Sequence, residues 1–253
     1  MKTAVIIPAR MGSSRFPGKP LAPILGKTMI EHVYRRCNMA EGLEGVYIAT
    51  CDEEIRVAVE GFGGQVIMTA DTHQRASERT AEAAEKIDVD IVVMVQGDEP
   101  LTHPDMIDLA VQPLIDDPEI VCSNLTSKIQ SPQEFKDPST IKVVMDQRGF
   151  ALYFSREPVP TTGIQGFFDD SQVPLYKQVC IIPFRKEFLL RYVQMDPTPL
   201  EIAESIDMLR LLENGFGVKM VKSSFATHAV DTPEDLRLVE QMMGTDPLLE
   251  QYA

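Results

Sequence analysis

Val5-Ile6-Ile7-Pro8-Ala9-Arg10-Met11-Gly12-Ser13-Ser14-Arg15-Phe16-Pro17-Gly18-Lys19-Pro20 decides how the rest of the chain is read. Its first three residues are apolar and β-branched, which predicts a buried strand at the start of the fold. From Pro8 onward the composition is that of a loop. Two glycines allow unusual backbone angles, three prolines stiffen the segment, and Arg10, Arg15 and Lys19 make it cationic. The chain carries 38 acidic and 24 basic residues, for a formal charge of -14, yet residues 1–30 contain no Asp or Glu. A positive loop after the first strand of a negative protein suits a polyanion. Amide groups exposed at Gly12 and Gly18, with the three cations, can cradle a triphosphate. The competing reading is a solvated loop whose charges balance the acidic remainder.

Standard phosphate motifs do not describe this loop. Five residues separate Gly12 from Gly18, where a Walker loop has four, and Pro20 stands where a Ser or Thr is needed for magnesium. A Gly-x-Gly-x-x-Gly dinucleotide fingerprint is absent as well.

Outward from this stretch, the first half alternates strand and helix. Val46–Ala49 and Val66–Met68 read as strands. Met29–Ala40 reads as a helix with Ile30, Val33, Tyr34 and Cys37 on one face. Asp52 is placed to cap the next helix, and Ser77 to cap a helix over 78–86. Ile91–Val95 is apolar without alternation, the mark of a strand covered on both faces in a parallel sheet. It runs into Gln96-Gly97-Asp98-Glu99-Pro100, and a helix follows from His103 or Pro104 to Leu114. Short connections between such elements imply right-handed crossovers and a three-layer α/β sandwich. Ligands of such sheets sit at the carboxyl ends of the strands, so the loops after Ile7, Met68 and Val95 should converge.

The second half changes character. Lys142–Met145 and Ala151–Phe154 read as a hairpin, Val179–Ile182 as a strand, and Glu201–Asn214 as one helix stopped by Gly215. Val218–Val221 is a further strand. Thr232-Pro233-Glu234-Asp235 carries the start signal of the last helix, with Thr at the N-cap, Pro at N1 and a carboxylate at N3. The expected organisation is one domain over residues 1–253, with 125–200 as an inserted, β-rich lobe.

Composition bounds the function. Length, 44% hydrophobic and 25% charged residues suit a globular enzyme-sized domain. The net charge argues against nucleic acid or an anionic membrane as partner. No apolar run is long enough for a membrane span, and a cytoplasmic location is expected. Cys37, Cys51, Cys122 and Cys180 lack metal-ligand spacing and read as reduced thiols.

Ile6-Ile7-Pro8-Ala9-Arg10, Arg15-Phe16-Pro17-Gly18-Lys19-Pro20-Leu21, Gln96-Gly97-Asp98-Glu99-Pro100, Ala151-Leu152-Tyr153-Phe154-Ser155-Arg156 and Val230-Asp231-Thr232-Pro233-Glu234-Asp235-Leu236 are ordered motifs spread over nearly the whole chain. Together they resemble the sugar-acid cytidylyltransferases, in particular the CMP-Kdo synthetases. The resemblance implies a Rossmann-like nucleotidyltransferase sheet, CTP as donor, magnesium, and a homodimer formed through the lobe. The acceptor it implies is 3-deoxy-manno-octulosonate (Kdo) or a related 3-deoxy-ulosonic acid. It assigns metal binding to Asp98 and Asp231, which with Arg10 and Lys19 are the expected catalytic residues. Ala9, Arg10, Gly12, Arg15, Lys19, Ser77, Arg79 and Gln96 are the expected nucleotide contacts. Glu99 is either a structural loop carboxylate or a support for the metal ligands, and His73 reads as loop structure.

Departures from the family concentrate on the acceptor side, where Lys142, Arg156, Gln178, Ile182, Asp207 and Met208 are expected. Gln178 and Ile182 replace a family His and Tyr, and Asp207-Met208 replaces Glu-Gln. In the base-reading loop, His73-Gln74-Arg75-Ala76-Ser77-Glu78-Arg79 stands for His-Gln-Ser-Gly-Thr-Glu-Arg, adding a cation at Arg75. A sugar hydroxyl buried against Ile182 or Met208 lacks a partner. The expectation from these positions is an acid with altered distal hydroxyls in place of unmodified Kdo. A different acceptor, such as a phosphonate or sugar phosphate, and a non-catalytic nucleotide-binding protein are the alternatives. Retention of Arg10, Lys19, Asp98 and Asp231 together argues against the last.

Overall fold

The computed structural model describes residues 1–12, 16–161 and 174–252. Arg15 and most of the 161–174 loop lie outside them. The chain opens with β1 (Thr3–Pro8), a 3₁₀ turn at Lys19–Leu21, and the small hairpin β2 (Pro23–Ile24) and β3 (Lys27–Thr28). Next come α1 (Met29–Cys37), β4 (Leu43–Thr50), α2 (Glu53–Gly61), β5 (Gln65–Met68), α3 (Ala76–Glu85), β6 (Ile91–Val95) and α4 (Pro104–Asp116). The second half contributes β7 (Ser123–Lys128), α5 (Pro132–Lys136), β8 (Lys142–Met145), β9 (Ala151–Ser155), β10 (Tyr176–Val179), β11 (Ile181–Arg185) and α6 (Lys186–Tyr192). It closes with α7 (Pro199–Glu204), α8 (Met208–Glu213), β12 (Lys219–Lys222) and α9 (Pro233–Met243).

The main sheet has the order β11-β6-β1-β4-β5. Its β6-β1-β4-β5 part is parallel, and β11 joins antiparallel at the edge. Alternation along β1 explains the three layers. Ala4 and Ile6 face a core built with α3, α6 and α8, whereas Val5 and Ile7 face one built with α1, α2 and α4. All five residues of β6 are buried, as expected of a strand covered on both faces. Three crossovers, through α1, α2 and α3, join the four parallel strands, so the carboxyl ends of β1, β5 and β6 share one edge.

A second sheet, β12-β7-β10-β8-β9, pairs β12 with β7 in parallel and is otherwise antiparallel. It draws its strands from 123–179 and from 219–222, while β11 and α6 return to the main sheet. Two expectations need correction here. The run Val179–Ile182 is not one strand. The chain breaks at Cys180, with Val179 paired to Leu125 in the second sheet and Ile181 to Val95 in the first. The helix expected over 201–214 is interrupted at Ser205, whose φ of 54° is left-handed, so α7 and α8 are separate.

The start of α9 matches the sequence signal. Thr232 Oγ1 accepts from the Asp235 amide at 3.2 Å, and the Asp235 carboxylate accepts from the Thr232 amide at 2.8 Å. Among the described residues no helix is long and apolar enough to cross a membrane.

Candidate active site

Three chain segments far apart in sequence meet at the carboxyl edge of the main sheet. The first is the loop after β1. Asp52, at the start of α2, accepts from the Met11 amide at 2.8 Å and so anchors the loop at its beginning. Gly18, with φ 72°, adopts the left-handed turn that brings its amide to Met11 O and starts the 3₁₀ turn at Lys19. The second segment follows β6. A Cβ on Gly97 would lie 3.0 Å from Ile30 Cδ1 and 3.4 Å from Pro8 O, so only glycine lets this loop pack against the end of β1 without a shift. The third is Val230-Asp231, just before α9, tied to the second by the Val230 amide donating to Asp98 O at 2.9 Å.

Lys19 joins all three. Its Nζ donates to Asp98 Oδ2 at 2.7 Å and to Val230 O at 2.8 Å, and stands 3.5 Å from Asp231 Oδ1. One ammonium therefore sits against two carboxylates that would otherwise repel each other. Asp98 Oδ1 is buried and has no hydrogen-bond partner. Unsatisfied buried carboxylate oxygen is costly. These hard oxygen donors fit a divalent cation such as magnesium, which takes one or two carboxylates and completes its shell with water and phosphate. Among the described residues no group of three or more His, Cys, Asp or Glu side chains forms a metal cage. Glu99 is buried beside them. Desolvation, then the neighbouring Asp98 charge, pushes its carboxyl up to about 7.

A cavity of about 320 Å³ opens over these residues. Ala9, Arg10, Gly12, Lys19, Arg79, Gln96 and Asp98 line it, together with the His73–Ala76 loop. Arg79 is nearly buried and donates to Thr69 Oγ1 and Ala70 O, fixing that loop from below. His73 Nε2 and the Ala70 amide both engage Glu82 Oε2, at 2.6 and 2.8 Å. Ser77 departs from its expected place. Helix α3 begins at Ala76, two residues earlier than the sequence implied, because Glu78 reaches back to the amides of Gln74 and Arg75. Ser77 is thus inside the first turn, fully buried, and donates to Asp207 Oδ2 at 2.7 Å.

The residues expected on the acceptor side do not gather in one place. Ile182 and Met208 are core residues, 2% and 1% exposed, and line neither cavity. Ile182 faces the layer of α3 and α6 because β11 pairs it with Met94. The cost argued from burying sugar hydroxyls against these two side chains has no basis in the fold. Lys142 is fully buried, its Nζ donating to the carbonyls of Asp137, Thr140 and Arg156. Arg156 is engaged by Glu204 and the carbonyls of Pro138 and Ser205. The Asp207 carboxyl, raised above its ordinary range by burial, is held by Ser77 and by Arg75 at 3.3 Å. Gln178 alone of the six lines a cavity.

That second cavity, about 1200 Å³, lies between the second sheet and the segment before α9. Its wall includes Glu99, Lys177, Gln178, Cys180, Lys222 and Asp231. Glu99 and Asp231 place it directly beside the carboxylate pair. Arg75, Lys177 and Lys222 were not among the sequence candidates. Only Arg75 had a signal, as an added cation in the loop after β5.

A family model described as "Cytidylyltransferase" matches residues 4–223. The 3-deoxy-manno-octulosonate cytidylyltransferase of Geobacter metallireducens is 47% identical over 96% of this chain and 98% of its own length. That of Syntrophotalea carbinolica is 46% identical over 95% and 98%. A solved CMP:2-keto-3-deoxy-manno-octonic acid synthetase complexed with CTP superimposes with a TM-score of 0.88 at 39% identity, covering 96% of this chain and 99% of that one. The 4-diphosphocytidyl-2C-methyl-D-erythritol synthase of Anaerococcus prevotii, at 13% identity and a TM-score of 0.64, shares the fold. By sequence and by structure, this chain belongs to the cytidylyltransferase family.

Proposed function

We propose that the protein transfers CMP from CTP to the hydroxyl of Kdo or a related 3-deoxy-ulosonic acid, releasing pyrophosphate. The observation that carries this reading is that Lys19 joins Asp98, on the wall of the small cationic cavity, to Asp231, on the wall of the larger one. Transfer requires a hydroxyl to attack the α-phosphorus in line with the departing pyrophosphate. The smaller cavity supplies Arg10, Lys19 and the backbone of Ala9 and Gly12 for the phosphates. Gln96 and the Arg79-supported loop are placed to read the base. The larger cavity receives the acid, with Lys177 and Lys222 on its wall as cations and Gln178 as a polar contact.

Asp98 and Asp231 would hold magnesium, which neutralises phosphate charge as the pyrophosphate separates. Lys19, in contact with both carboxylates, keeps them together and adds a positive charge at the same point. The second sheet, whose strands line the larger cavity, serves as the acceptor-binding lobe; dimerisation through it rests on the family resemblance.

Gln178 favours a second reading. It stands where the family resemblance has His, and it lines the acceptor cavity. A modified ulosonic acid would meet a different hydrogen-bonding group there. Pyrophosphate release from CTP, assayed with Kdo, modified ulosonic acids, a phosphonate and no acceptor, tests both. Kdo-dependent release with the highest kcat/KM supports the main reading. Preference for another acid replaces the acceptor, and no acid-dependent release removes the enzymatic reading.

A further inference from the structure

Between the two cavities lies a turn, Glu204–Asp207, that neither of them contains. Its backbone is left-handed at Ser205, an uncommon conformation for a residue with a side chain. Asp207 occupies the N-cap position of α8, yet its carboxylate makes no capping bond there. It turns instead toward α3, accepting from Ser77 Oγ at 2.7 Å and lying 3.3 Å from Arg75 Nη1. The same Nη1 donates to Ser205 Oγ at 3.1 Å.

Arg75 thus grips the turn from the wall of the nucleotide cavity. Arg156 grips it from the opposite side, Nε donating to Glu204 O at 2.6 Å and Nη2 to Ser205 O at 3.3 Å. Arg156 continues outward, its Nη1 donating to Pro138 O at 2.9 Å and its own carbonyl accepting from Lys142. Lys142 holds the carbonyls of Asp137 and Thr140. Asp137, Ser139 and Thr140 line the acceptor cavity. A continuous set of side-chain bonds therefore runs from one cavity wall to the other. The Ser77–Asp207, Arg156–Glu204 and Lys142 links are partly buried, where charged hydrogen bonds are less screened, whereas the Arg75–Ser205, Arg156–Ser205 and Arg156–Pro138 links are exposed.

We infer that Arg75 is a positioning residue that couples the nucleotide wall to the acceptor wall through the Glu204–Asp207 turn. Both contacts come from one guanidinium nitrogen, whose two N–H groups can serve the hydroxyl and the carboxylate together. The same contacts give Arg156, Lys142 and Asp207 a route to the acceptor wall although none of them lines its cavity. This inference rests on the reading of the larger cavity as the acceptor site.

Contiguity alone does not establish coupling, so the test is a double-mutant cycle. Wild type, Arg75→Ala, Asp207→Asn and the double variant are assayed for KM of Kdo and of CTP, for kcat and for Tm. CTP binding is also measured by calorimetry without acceptor. Each single variant is expected to raise the KM for Kdo about 3- to 30-fold, with kcat kept within about threefold. The double variant is expected to be no worse than the poorer single one. Arg75→Lys, which keeps the charge, is expected to recover much of the loss. An unchanged KM for Kdo in both single variants, additive effects, or a KM loss that merely tracks Tm would overturn the coupling. Failure of the wild type to use any ulosonic acid would instead overturn the acceptor reading, so the two failures are distinguishable.

Discussion

Lys19 and Asp98, 79 residues apart, form a 2.7 Å ion pair whose side chains are only 14% and 21% exposed. In the proposed reading the ammonium neutralises phosphate charge and the carboxylate holds a divalent cation. Lys19→Ala should therefore reduce turnover by at least about 100-fold, the scale for removing one preorganised charge from a transition state. The far-ultraviolet circular dichroism should be unchanged. Near-normal kcat/KM for CTP would detach the turn at Lys19 from the chemistry.

Asp98→Asn and Asp231→Asn preserve size but remove the anionic oxygens proposed to hold the metal. Each variant should bind Mn²⁺ at least about tenfold more weakly in an electron paramagnetic resonance titration, and should need more Mg²⁺ for turnover. The Mn²⁺ titration needs no catalysis. Unaltered affinity in Asp231→Asn would make the segment before α9 structural only.

Lys142 tests whether a buried cation serves the ligand or the fold. Its ammonium satisfies three backbone carbonyls, and burial holds its pKa below the usual lysine range. Lys142→Met leaves those oxygens without a donor and should cost about 2–4 kcal/mol of stability. That corresponds to a fall in Tm of about 5–15 °C for a chain of this size. A variant as stable as wild type would return Lys142 to the list of ligand contacts.

Glu82 gives a prediction with a pH signature. Desolvation alone would raise its carboxyl, but the Ala70 amide, His73 and Lys86 together hold it down to about 2. A depressed carboxyl stabilises the fold above its unfolded pKa of about 4.5, and that stability is lost as pH falls from 4.5 toward 2. The side chain is 26% exposed, so after allowance for screening the contribution is about 2 kcal/mol. Glu82→Gln should be less stable than wild type by that amount at pH 7. The gap should narrow on acidification below pH 4.5, as followed by urea unfolding. A pH-independent gap would mean that Glu82 acts through packing.

Some of this molecule could be read without coordinates because its causes are local. The unbroken apolar run of β6 reports burial on both faces, and Thr232-Pro233-Glu234-Asp235 satisfies its own helix start within four residues. The acid-free opening segment stood out by charge alone as a cationic loop. The family resemblance paired Asp98 with Asp231 as expected metal ligands, though nothing in their spacing could show them meeting at Lys19. That meeting depends on the parallel crossovers that bring the ends of β1 and β6 to one edge, and on the chain returning after β12.

Side-chain direction was the part that only tertiary structure decided. Matching positions along the chain put Ile182 and Met208 on the acceptor side, but strand pairing and the packing of α8 turn both into the core. Ser77 reads equally well as a cap or as an interior residue until Glu78 is seen to hold the turn before it. The break at Ser205 was invisible for a related reason. No glycine or proline marks it, and the arginines that hold the turn come from positions 75 and 156, at distances along the chain that local propensity does not register.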